Sequence, residues 1–351
     1  MQNGILLGGF LSALAISLLA IPSIIKVAIS KGLYGVQRDK GSRGRKVPTL
    51  GGLAIFAGVL IPLSLLADFS ELPVLPYLIA GALLLFFIGL KDDILIIAPW
   101  WKLLGQFLVA LVVCMPGRLR IMNPGGLMGL GPGNEAFSIL ITVLGIVAVI
   151  NSYNLIDGID GLAAGIGLLA SAVFGIVFYL AELQVWTLMA VIFSGSLAGF
   201  AWYNVFSPTK KIYMGDTGSL LLGFLMSLMA VRILNIEEIN FLNLQVKIPL
   251  AFVLAVLIVP LFDLLRIIII RIFQRRSPLS PDRNHIHYRL VDAGLSHLQS
   301  TGVLLGVNLV IIALVLFIQG AGEIPAILLL LAAATILSLL PGIYIRKKNK
   351  L

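Results

Sequence analysis

Residues 136–180 read AFSILITVLGIVAVINSYNLIDGIDGLAAGIGLLASAVFGIVFYL, a polar segment between two apolar runs. A helix needs about 20 apolar residues to cross a bilayer, and the runs at 136–151 and 161–181 approach or reach that length. The polar segment at 152–160 holds carboxylates and turn-forming glycines, which lipid hydrocarbon does not accept without partners. The stretch therefore predicts two membrane-spanning helices joined at a membrane surface.

The same alternation continues along the whole chain of 351 residues. Hydrophobic residues make up 59% of it and charged residues 12%, against roughly 25% charged in globular proteins, and the mean hydropathy is +1.06. This composition excludes a soluble enzyme, a disordered tail, a collagen and a coiled coil. We predict an all-α polytopic membrane protein forming one domain, 1–351, with its motifs within 46–289 and its last two spans within 299–345. Eleven spans are predicted, at 4–29, 49–67, 74–90, 103–115, 136–151, 161–181, 184–202, 217–233, 247–271, 299–318 and 325–345.

The charges assign a side of the membrane to each connection between spans. All but four of the 25 lysines and arginines lie on one set of connections, at the span ends beside them or in the C-terminal tail. Because cytosolic loops carry an excess of basic residues, this places those connections and the C-terminus in the cytosol and the N-terminus outside. The net charge of +9 then follows from topology, and no nucleic-acid partner is expected. The single cysteine, Cys114, allows neither an internal disulfide nor a cysteine metal cluster.

Two polar segments on the predicted cytosolic side are rich in carboxylates. Gly89-Leu90-Lys91-Asp92-Asp93 places two acids together, and adjacent carboxylates are better tolerated beside a cation or a metal. Residues 151–162 carry two Asp-Gly units, at Asp157 and Asp160, where glycine permits close approach of a ligand. The alternatives are a solvated loop start for the first segment and an elaborate turn with Asp160 as a helix N-cap for the second.

Two further segments suit phosphate. Tyr213-Met214-Gly215-Asp216-Thr217-Gly218-Ser219 opens the eighth span, where free backbone N–H groups can bind phosphate and a neighbouring aspartate can bind Mg²⁺. The alternative is that Asp216 caps the helix. Residues 277–289 contain two histidines and two arginines, which can grip phosphates through several donors. The alternative is an ordinary surface loop, and structural zinc is not expected without cysteines nearby.

These motifs resemble, in order over about residues 1–300, those of the polyprenyl-phosphate N-acetylhexosamine-1-phosphate transferases, in glycosyltransferase family 4. The resemblance is to the bacterial branch that uses UDP-GlcNAc and undecaprenyl phosphate. It implies transfer of sugar-1-phosphate to the lipid with release of UMP, at the cytosolic face of a bacterial plasma membrane, with Mg²⁺ as cofactor and Mn²⁺ as a substitute. A homodimer is one option. The resemblance rests on Pro48-Thr49-Leu50-Gly51-Gly52, Asp92-Asp93, Asn154 to Gly161, Met214 to Ser219, and 281–289.

The resemblance also implies roles for individual residues. Asp216 is expected to bind the metal with Asn154 close to it, and Lys102 is expected to contact the pyrophosphate. We expect Asp92 and Asp93 to orient the reactants rather than to act as an essential base, because a phosphomonoester is largely dianionic at neutral pH. The remaining expected contacts are those of Asp157 and Asp160 with the uridine, of Lys46 and Thr49 near the nucleotide, and of Arg283, His285, His287 and Arg289 with the sugar and phosphates.

The chain departs from the family pattern at one position. The usual pattern is His-x-His-His, and Tyr288 stands where the last histidine would be, so a phenol replaces a group that can become a cation. Other UDP-linked N-acetylhexosamines, and the muramoyl-pentapeptide donor, remain alternatives. A multi-span transporter and a non-catalytic scaffold are alternatives of another class. A transporter usually places charges near the bilayer midplane and shows repeated halves, which this sequence does not.

Overall fold

The computed structural model describes residues 2–34, 47–68, 70, 72–95, 97–123, 134–236, 239–241, 244–277, 280 and 283–348, and the description below refers to these. The helices, in chain order, are α1 (Gln2–Lys31), α2 (Gly51–Leu66), α3 (Leu75–Leu95), α4 (Pro99–Cys114), α5 (Glu135–Ile156), α6 (Leu162–Leu180), α7 (Gln184–Ala201), α8 (Gly215–Leu234), α9 (Pro249–Val256), α10 (Ile258–Phe273), α11 (Ile286–Asp292), α12 (His297–Phe317) and α13 (Glu323–Lys348). A π-helical turn, Trp202–Phe206, extends α7, and a 3₁₀ turn, Gln319–Ala321, follows α12.

Every predicted apolar run contains helix, and the ninth is broken. Its two parts, α9 and α10, meet at an angle of 83° around Leu257. The sequence accounts for the break, because Pro260 lacks an N–H and its ring clashes with the carbonyl group four residues earlier, that of Val256. The last residue of α9 is Val256.

The protein is a multi-pass membrane protein with an almost entirely helical fold. Six of the described helices are long and apolar enough to cross a membrane, or seven if the bent pair is one span, and α2, α4 and part of α13 are shorter apolar helices. The number of eleven spans and the orientation of the chain therefore stay predictions. Among the described residues, extended structure is limited to an antiparallel pair, β1 (Ile239–Phe241) and β2 (Leu244–Val246), on a connection predicted to be outside.

Helix α8 is the centre of the bundle. Sixteen of its 20 residues are buried, and it packs against α2, α3, α5 and α6. A helix that is apolar all round belongs in the interior of a protein, and α8 follows that rule except at its ends, which carry Asp216 and Arg232. The first turn carries Asp216, so the most enclosed helix presents a carboxylate at its N-terminal end.

Glycines bring the backbones of α2 and α3 against the first turn of α8. A Cβ atom on Gly52 would lie 2.2 Å from the backbone nitrogen of Gly218, and one on Gly89 would lie 2.5 Å from the Cα of Thr217. Neither position can hold a side chain unless the backbones move apart. The glycines of the Pro48–Gly52 motif thus have a packing reason, which is close approach to the helix that carries Asp216.

We expect Gly52→Ala to destabilise the protein by about 1–3 kcal/mol, because the new methyl group would overlap backbone that cannot rotate away. Thermal unfolding in detergent measures this. Gly145→Ala is the matched control, since Gly145 also lies in a helix and its Cβ would meet nothing within 4 Å. The control should be neutral or slightly stabilising, because alanine is favoured over glycine in helices. Equal melting temperatures for the two variants would contradict the packing account.

Candidate active site

Most of the predicted site residues lie at one end of the helix bundle. Asp92 and Asp93 lie near the end of α3, and Lys102 lies in the first turn of α4. Asn154 lies in the last turn of α5, and Asp216 is the second residue of α8. Segments far apart in the sequence therefore meet where four helices start or end.

Lys102 connects two of the carboxylates. Its Nζ atom donates to Asp92 Oδ2 at 2.9 Å and also to Asp216 Oδ2, and the two carboxylates are themselves adjacent. Asp92 Oδ1 accepts a further hydrogen bond from the backbone N–H of Ile97 at 2.7 Å. Burial acts to raise the pKa of Asp92, but the Lys102 ammonium and the Ile97 N–H outweigh it and hold that pKa below its usual range. Asp92 is thus an ionised carboxylate at neutral pH.

Asp93 caps the N-terminus of α8. Its Oδ1 accepts from the backbone N–H of Asp216 at 2.7 Å, and its Oδ2 accepts from the N–H and the hydroxyl of Thr217 at 3.0 and 2.6 Å. A helix N-terminus needs such acceptors, and a carboxylate there also complements the helix dipole. Burial raises the pKa of Asp93 to about 7 against these hydrogen bonds. The alternative that Asp216 caps its own helix is wrong, because Asp93 does so from α3.

The Pro48–Gly52 motif lies beside the same turn. The backbone N–H of Gly52 donates to the carbonyl of Met214 at 2.9 Å. Gly215 has a φ of 73°, and a Cβ there would lie 2.0 Å from the carbonyl oxygen of Thr49, so both the conformation and the space require glycine. Thr49 therefore lies beside the turn that carries Asp216, and its position near the nucleotide stays a prediction. Lys46 lies outside the described residues.

Asn154 contacts the start of α8 at a buried residue, Ser219. Its Nδ2 donates to the hydroxyl of Ser219 at 2.8 Å. Ser219 follows Asp216 by three residues, so the two lie on one face of α8, about one turn apart. This hydrogen bond uses the amide nitrogen of Asn154 and leaves its oxygen as the atom for a cation. Asp157 is the C-cap residue of α5, directly after Ile156.

Asp160 ties three parts of the chain together. Its Oδ2 accepts from Lys211 Nζ at 2.6 Å and from His297 Nδ1 at 2.9 Å. Burial acts to raise the pKa of Asp160, but His297 and Lys211 outweigh it and lower that pKa. The alternative of Asp160 as an N-cap is wrong, because α6 is preceded by Gly161, which has a φ of 79° and no capping side chain. Contact of Asp160 with uridine stays a prediction.

The histidine segment packs against the Asp157–Gly161 turn. The imidazole of His287 is 1% exposed, and its Nε2 would lie 2.2 Å from a Cβ on Gly158. Burial lowers the pKa of His287 to about 4, so this ring is neutral at pH 7 and lies under the turn. That burial does not favour the predicted contact of His287 with phosphates. The guanidinium of Arg283 lies 5.3 Å from the ring centroid of Tyr288, and Arg289 is half-buried on α11.

The sequence analysis did not select three side chains that join these networks. Asp263 on α10 is 2% exposed and binds His285, while Lys211 and His297 bind Asp160. The signal for Asp263 was present, because an aspartate at the centre of a membrane helix costs about 2.5–3.5 kcal/mol and needs a reason. No comparable sequence signal marks Lys211 or His297, because their contacts with Asp160 depend on which loops meet in the folded chain.

The chemistry of this cluster would suit a magnesium ion that is shared with a substrate. Among the described residues, no group of three or more histidine, cysteine, aspartate or glutamate side chains is arranged to enclose a metal. Mg²⁺ in phosphate-binding enzymes needs less, since it takes one or two carboxylates and completes its shell with phosphate oxygens and water. The Asp216 carboxylate and the Asn154 amide oxygen are hard ligands of that kind, and Lys102 shows that a cation is held beside Asp216.

Comparison with known proteins relates this chain to membrane phosphosugar transferases. Residues 75–234 match the family described as glycosyl transferase family 4, a range that includes Asp92 to Asp216 but not Thr49 or the histidine segment. The chain is 31% identical over 301 residues to the probable undecaprenyl-phosphate N-acetylglucosaminyl 1-phosphate transferase of Bacillus subtilis (strain 168), covering 84% of this chain and 80% of that protein.

Two further relatives have similar names. The decaprenyl-phosphate N-acetylglucosaminephosphotransferase of Mycolicibacterium smegmatis is 32% identical over 316 residues, covering 82% of this chain and 75% of that protein. The undecaprenyl-phosphate alpha-N-acetylglucosaminyl 1-phosphate transferase of Escherichia coli (strain K12) is 28% identical over 288 residues, covering 78% and 73%. These matches extend well beyond residues 75–234, so the similarity includes most of the bundle.

We expect Asp93→Asn to destabilise the protein by about 1–3 kcal/mol, since an amide cannot accept all three hydrogen bonds and would leave a buried donor unpaired. Asp68→Asn is the matched control, because the Asp68 carboxylate also accepts from an N–H and a hydroxyl, both of Ser70, but is exposed. Thermal unfolding of the two variants in detergent measures the difference. If Asp93→Asn melts like Asp68→Asn, the cap does not stabilise α8.

Proposed function

The chain belongs to glycosyl transferase family 4, and on this basis we propose that it transfers N-acetylglucosamine-1-phosphate from UDP-GlcNAc to undecaprenyl phosphate. The observation that carries the proposal is the ion pair of Lys102 with Asp92 and Asp216 at the N-terminus of α8. This is a partly exposed cluster of opposite charges at the end of an otherwise apolar bundle. Relatives named for this transfer cover most of the chain and include the segments that form the cluster.

The reaction replaces one phosphoanhydride bond by another. An oxygen of the lipid phosphate attacks the β-phosphorus of UDP-GlcNAc, and the bond from that phosphorus to the bridging oxygen breaks. The products are undecaprenyl-diphospho-GlcNAc and UMP, which keeps the electron pair of the broken bond. Because the attacking phosphate is largely dianionic at neutral pH, the protein has chiefly to position the reactants and neutralise their charge.

The residues around α8 supply that positioning. In our proposal Lys102 exchanges part of its contact with Asp92 and Asp216 for the pyrophosphate and offsets the charge that grows on UMP. Asp92 orients the acceptor. Asp93 keeps the turn that carries Asp216 in place through its cap.

The charge count around Lys102 supports a second cation. When both carboxylates are ionised, Asp92 and Asp216 carry two negative charges and Lys102 one positive charge, and ionised Asp93 adds to the negative side. Two more phosphate groups would enter such a site only with strong repulsion, since like charges about 4 Å apart at an effective dielectric near 20 cost about 4 kcal/mol. We propose that Asp216 and Asn154 hold Mg²⁺, which when bound would neutralise phosphate charge and align the diphosphate.

The remaining predicted contacts surround this cluster. We propose that Thr49 and Asp157 lie against the nucleotide, and that Arg283, His285 and Arg289 lie against the sugar and phosphates. Asp160 would contribute to the uridine pocket from its position between Lys211 and His297. We also propose that residues 1–351 form a single domain.

We also propose that the site faces the cytosol of a bacterial plasma membrane, which the basic residues at its end of the bundle support. In a Cys114→Ala background, we expect Lys210→Cys to resist a membrane-impermeant maleimide in intact spheroplasts and Glu182→Cys to react. Both positions are exposed turns at opposite ends of the bundle in the proposed topology. Both should react after permeabilisation. Protection of Glu182→Cys with reaction of Lys210→Cys would reverse the orientation.

The function itself is tested with purified protein, UDP-GlcNAc and undecaprenyl phosphate. We expect release of UMP and a lipid product with the mass of undecaprenyl-diphospho-GlcNAc, loss of both with EDTA, and recovery with Mg²⁺ or Mn²⁺. Asp216→Asn should lower kcat by about 10²–10³-fold, the usual effect of removing one charge-stabilising group. Asp292→Asn is the control, since Asp292 is an exposed aspartate on the same side of the protein.

The outcomes separate the alternatives. Turnover of another UDP-linked N-acetylhexosamine, or of the muramoyl-pentapeptide donor, in preference to UDP-GlcNAc would keep the reaction and change the sugar. Full activity of Asp216→Asn would contradict the proposed metal ligand. Release of UMP from none of these donors would overturn the transferase proposal, and solute counterflow in liposomes without UMP release would favour a transporter.

A further inference from the structure

A buried aspartate on the bent helix holds the start of the histidine segment. Asp263 lies in α10 among apolar residues and is 2% exposed. Two neighbours of Asp263 line an apolar cavity of about 310 Å³. They are Phe262, which precedes it in the chain, and Ile286, whose backbone N–H it accepts. A carboxylate beside such a cavity has little access to water, so its hydrogen bonds must come from the protein.

The two oxygens of Asp263 bind one side chain and one backbone N–H at the start of α11. Oδ2 lies 2.7 Å from His285 Nδ1, and Oδ1 accepts the backbone N–H of Ile286 at 3.0 Å. Arg266, one turn further along α10, donates from Nη1 to the carbonyl oxygen of Asn284 at 2.6 Å. Side chains on α10 therefore form hydrogen bonds with three consecutive residues, 284–286, at the point where α11 begins.

The hydrogen bond to Asp263 determines which nitrogen of the His285 ring carries the hydrogen. An ionised carboxylate only accepts hydrogen bonds, so the contact at 2.7 Å places the ring hydrogen on Nδ1. Nε2 is then the atom that His285 can offer to a ligand, as a lone pair in the neutral ring or as an N–H in the charged one. A carboxylate that orients an imidazole in this way also stabilises positive charge on the ring when a proton arrives at Nε2.

The two histidines of the segment are treated differently by the fold. Both rings are buried, at 3% exposed for His285 and 1% for His287, but His285 has a carboxylate partner, whereas His287 Nε2 has no hydrogen-bond partner in the described part of the chain. The His287 ring lies 5.4 Å from the His285 ring, between centroids, and contacts Gly158. His285 is thus held by a carboxylate, whereas His287 packs against the turn at Gly158.

We propose that Asp263 is a positioning residue for the transfer reaction, which fixes the Nδ1–H tautomer and the orientation of His285 so that Nε2 faces the phosphates of the substrate. The proposal rests on the proposed function for the identity of the substrate, but the hydrogen bond between Asp263 and His285 does not depend on that function. Asp263 touches no reacting atom in this scheme and acts only through His285.

The tautomer can be tested in the unaltered protein. The chain has three histidines, so ¹⁵N-histidine labelling gives few side-chain signals, and His285→Asn and His287→Asn assign them. We expect His285 to show a protonated Nδ1, and we expect Asp263→Asn to shift the His285 signals while those of His297 stay in place. A neutral His285 protonated at Nε2 would overturn the proposal, whether or not any variant is active.

Kinetics then test the role. With the sugar donor that the protein uses, we expect Asp263→Asn to lower kcat by about 10–100-fold with little change in the donor KM, as is usual when an orienting partner is lost. His285→Ala should cost at least as much, and the double variant should be no slower than His285→Ala alone. Losses that multiply in the double variant would show that Asp263 acts independently of His285.

The matched control separates positioning from folding. The Glu323 carboxylate accepts the N–H groups of Leu250 and Ala251 at 3.0 and 2.9 Å, so it too supports a helix start, but it binds no histidine. Glu323→Gln should lower the melting temperature and leave kcat within about twofold. If Glu323→Gln lowers kcat as much as Asp263→Asn at equal melting temperature, general destabilisation explains the loss and the proposal fails. If Asp263→Asn does not fold, the tautomer in the unaltered protein still decides it.

Discussion

The arrangement of the site depends on one interaction, the cap that Asp93 places on α8. The helix that carries Asp216 is the most enclosed in the bundle, and its first turn has backbone N–H groups that no residue of its own chain segment accepts. Asp93 accepts two of them and the Thr217 hydroxyl. Because Asp92 is its neighbour on α3, the same cap sets Asp92 beside Asp216, where Lys102 can bind both.

The cap works only because the backbones approach closely. Gly89 on α3 leaves room for Thr217, and Gly52 on α2 leaves room for Gly218. A Cβ at either position would push α2 or α3 away by more than a hydrogen bond tolerates, since N–H···O distances above about 3.2 Å are already weak. Packing and the hydrogen bonds of the cap therefore both require that α2 and α3 approach the first turn of α8 closely, and glycine permits this.

Composition and periodicity were sufficient for the helical class, because about 20 apolar residues in a row leave the backbone no other partner in lipid. The break at Leu257 also has a signal in the sequence, which is Pro260 three residues later. The prediction of one continuous ninth span did not take this proline into account. The cap was beyond a sequence argument: Asp216 stands where an N-cap is usual, and only the tertiary contact with α3 shows that Asp93 takes that role. The partners of Asp160, Lys211 and His297, likewise come from loops whose meeting no local pattern encodes.

The aspartates at this end of the molecule divide into two groups by what they bind. Asp93 and Asp263 accept backbone N–H groups of helix starts, bonds that must persist for the helices to stay in place. Asp92 and Asp216 share a lysine ammonium instead, and the lysine side chain is long, flexible and partly exposed. An ammonium can be exchanged for another cation or turned toward an incoming anion at little cost, whereas a cap cannot be. A site that must admit and release phosphates needs both kinds of carboxylate, one to hold the frame and one to respond to charge.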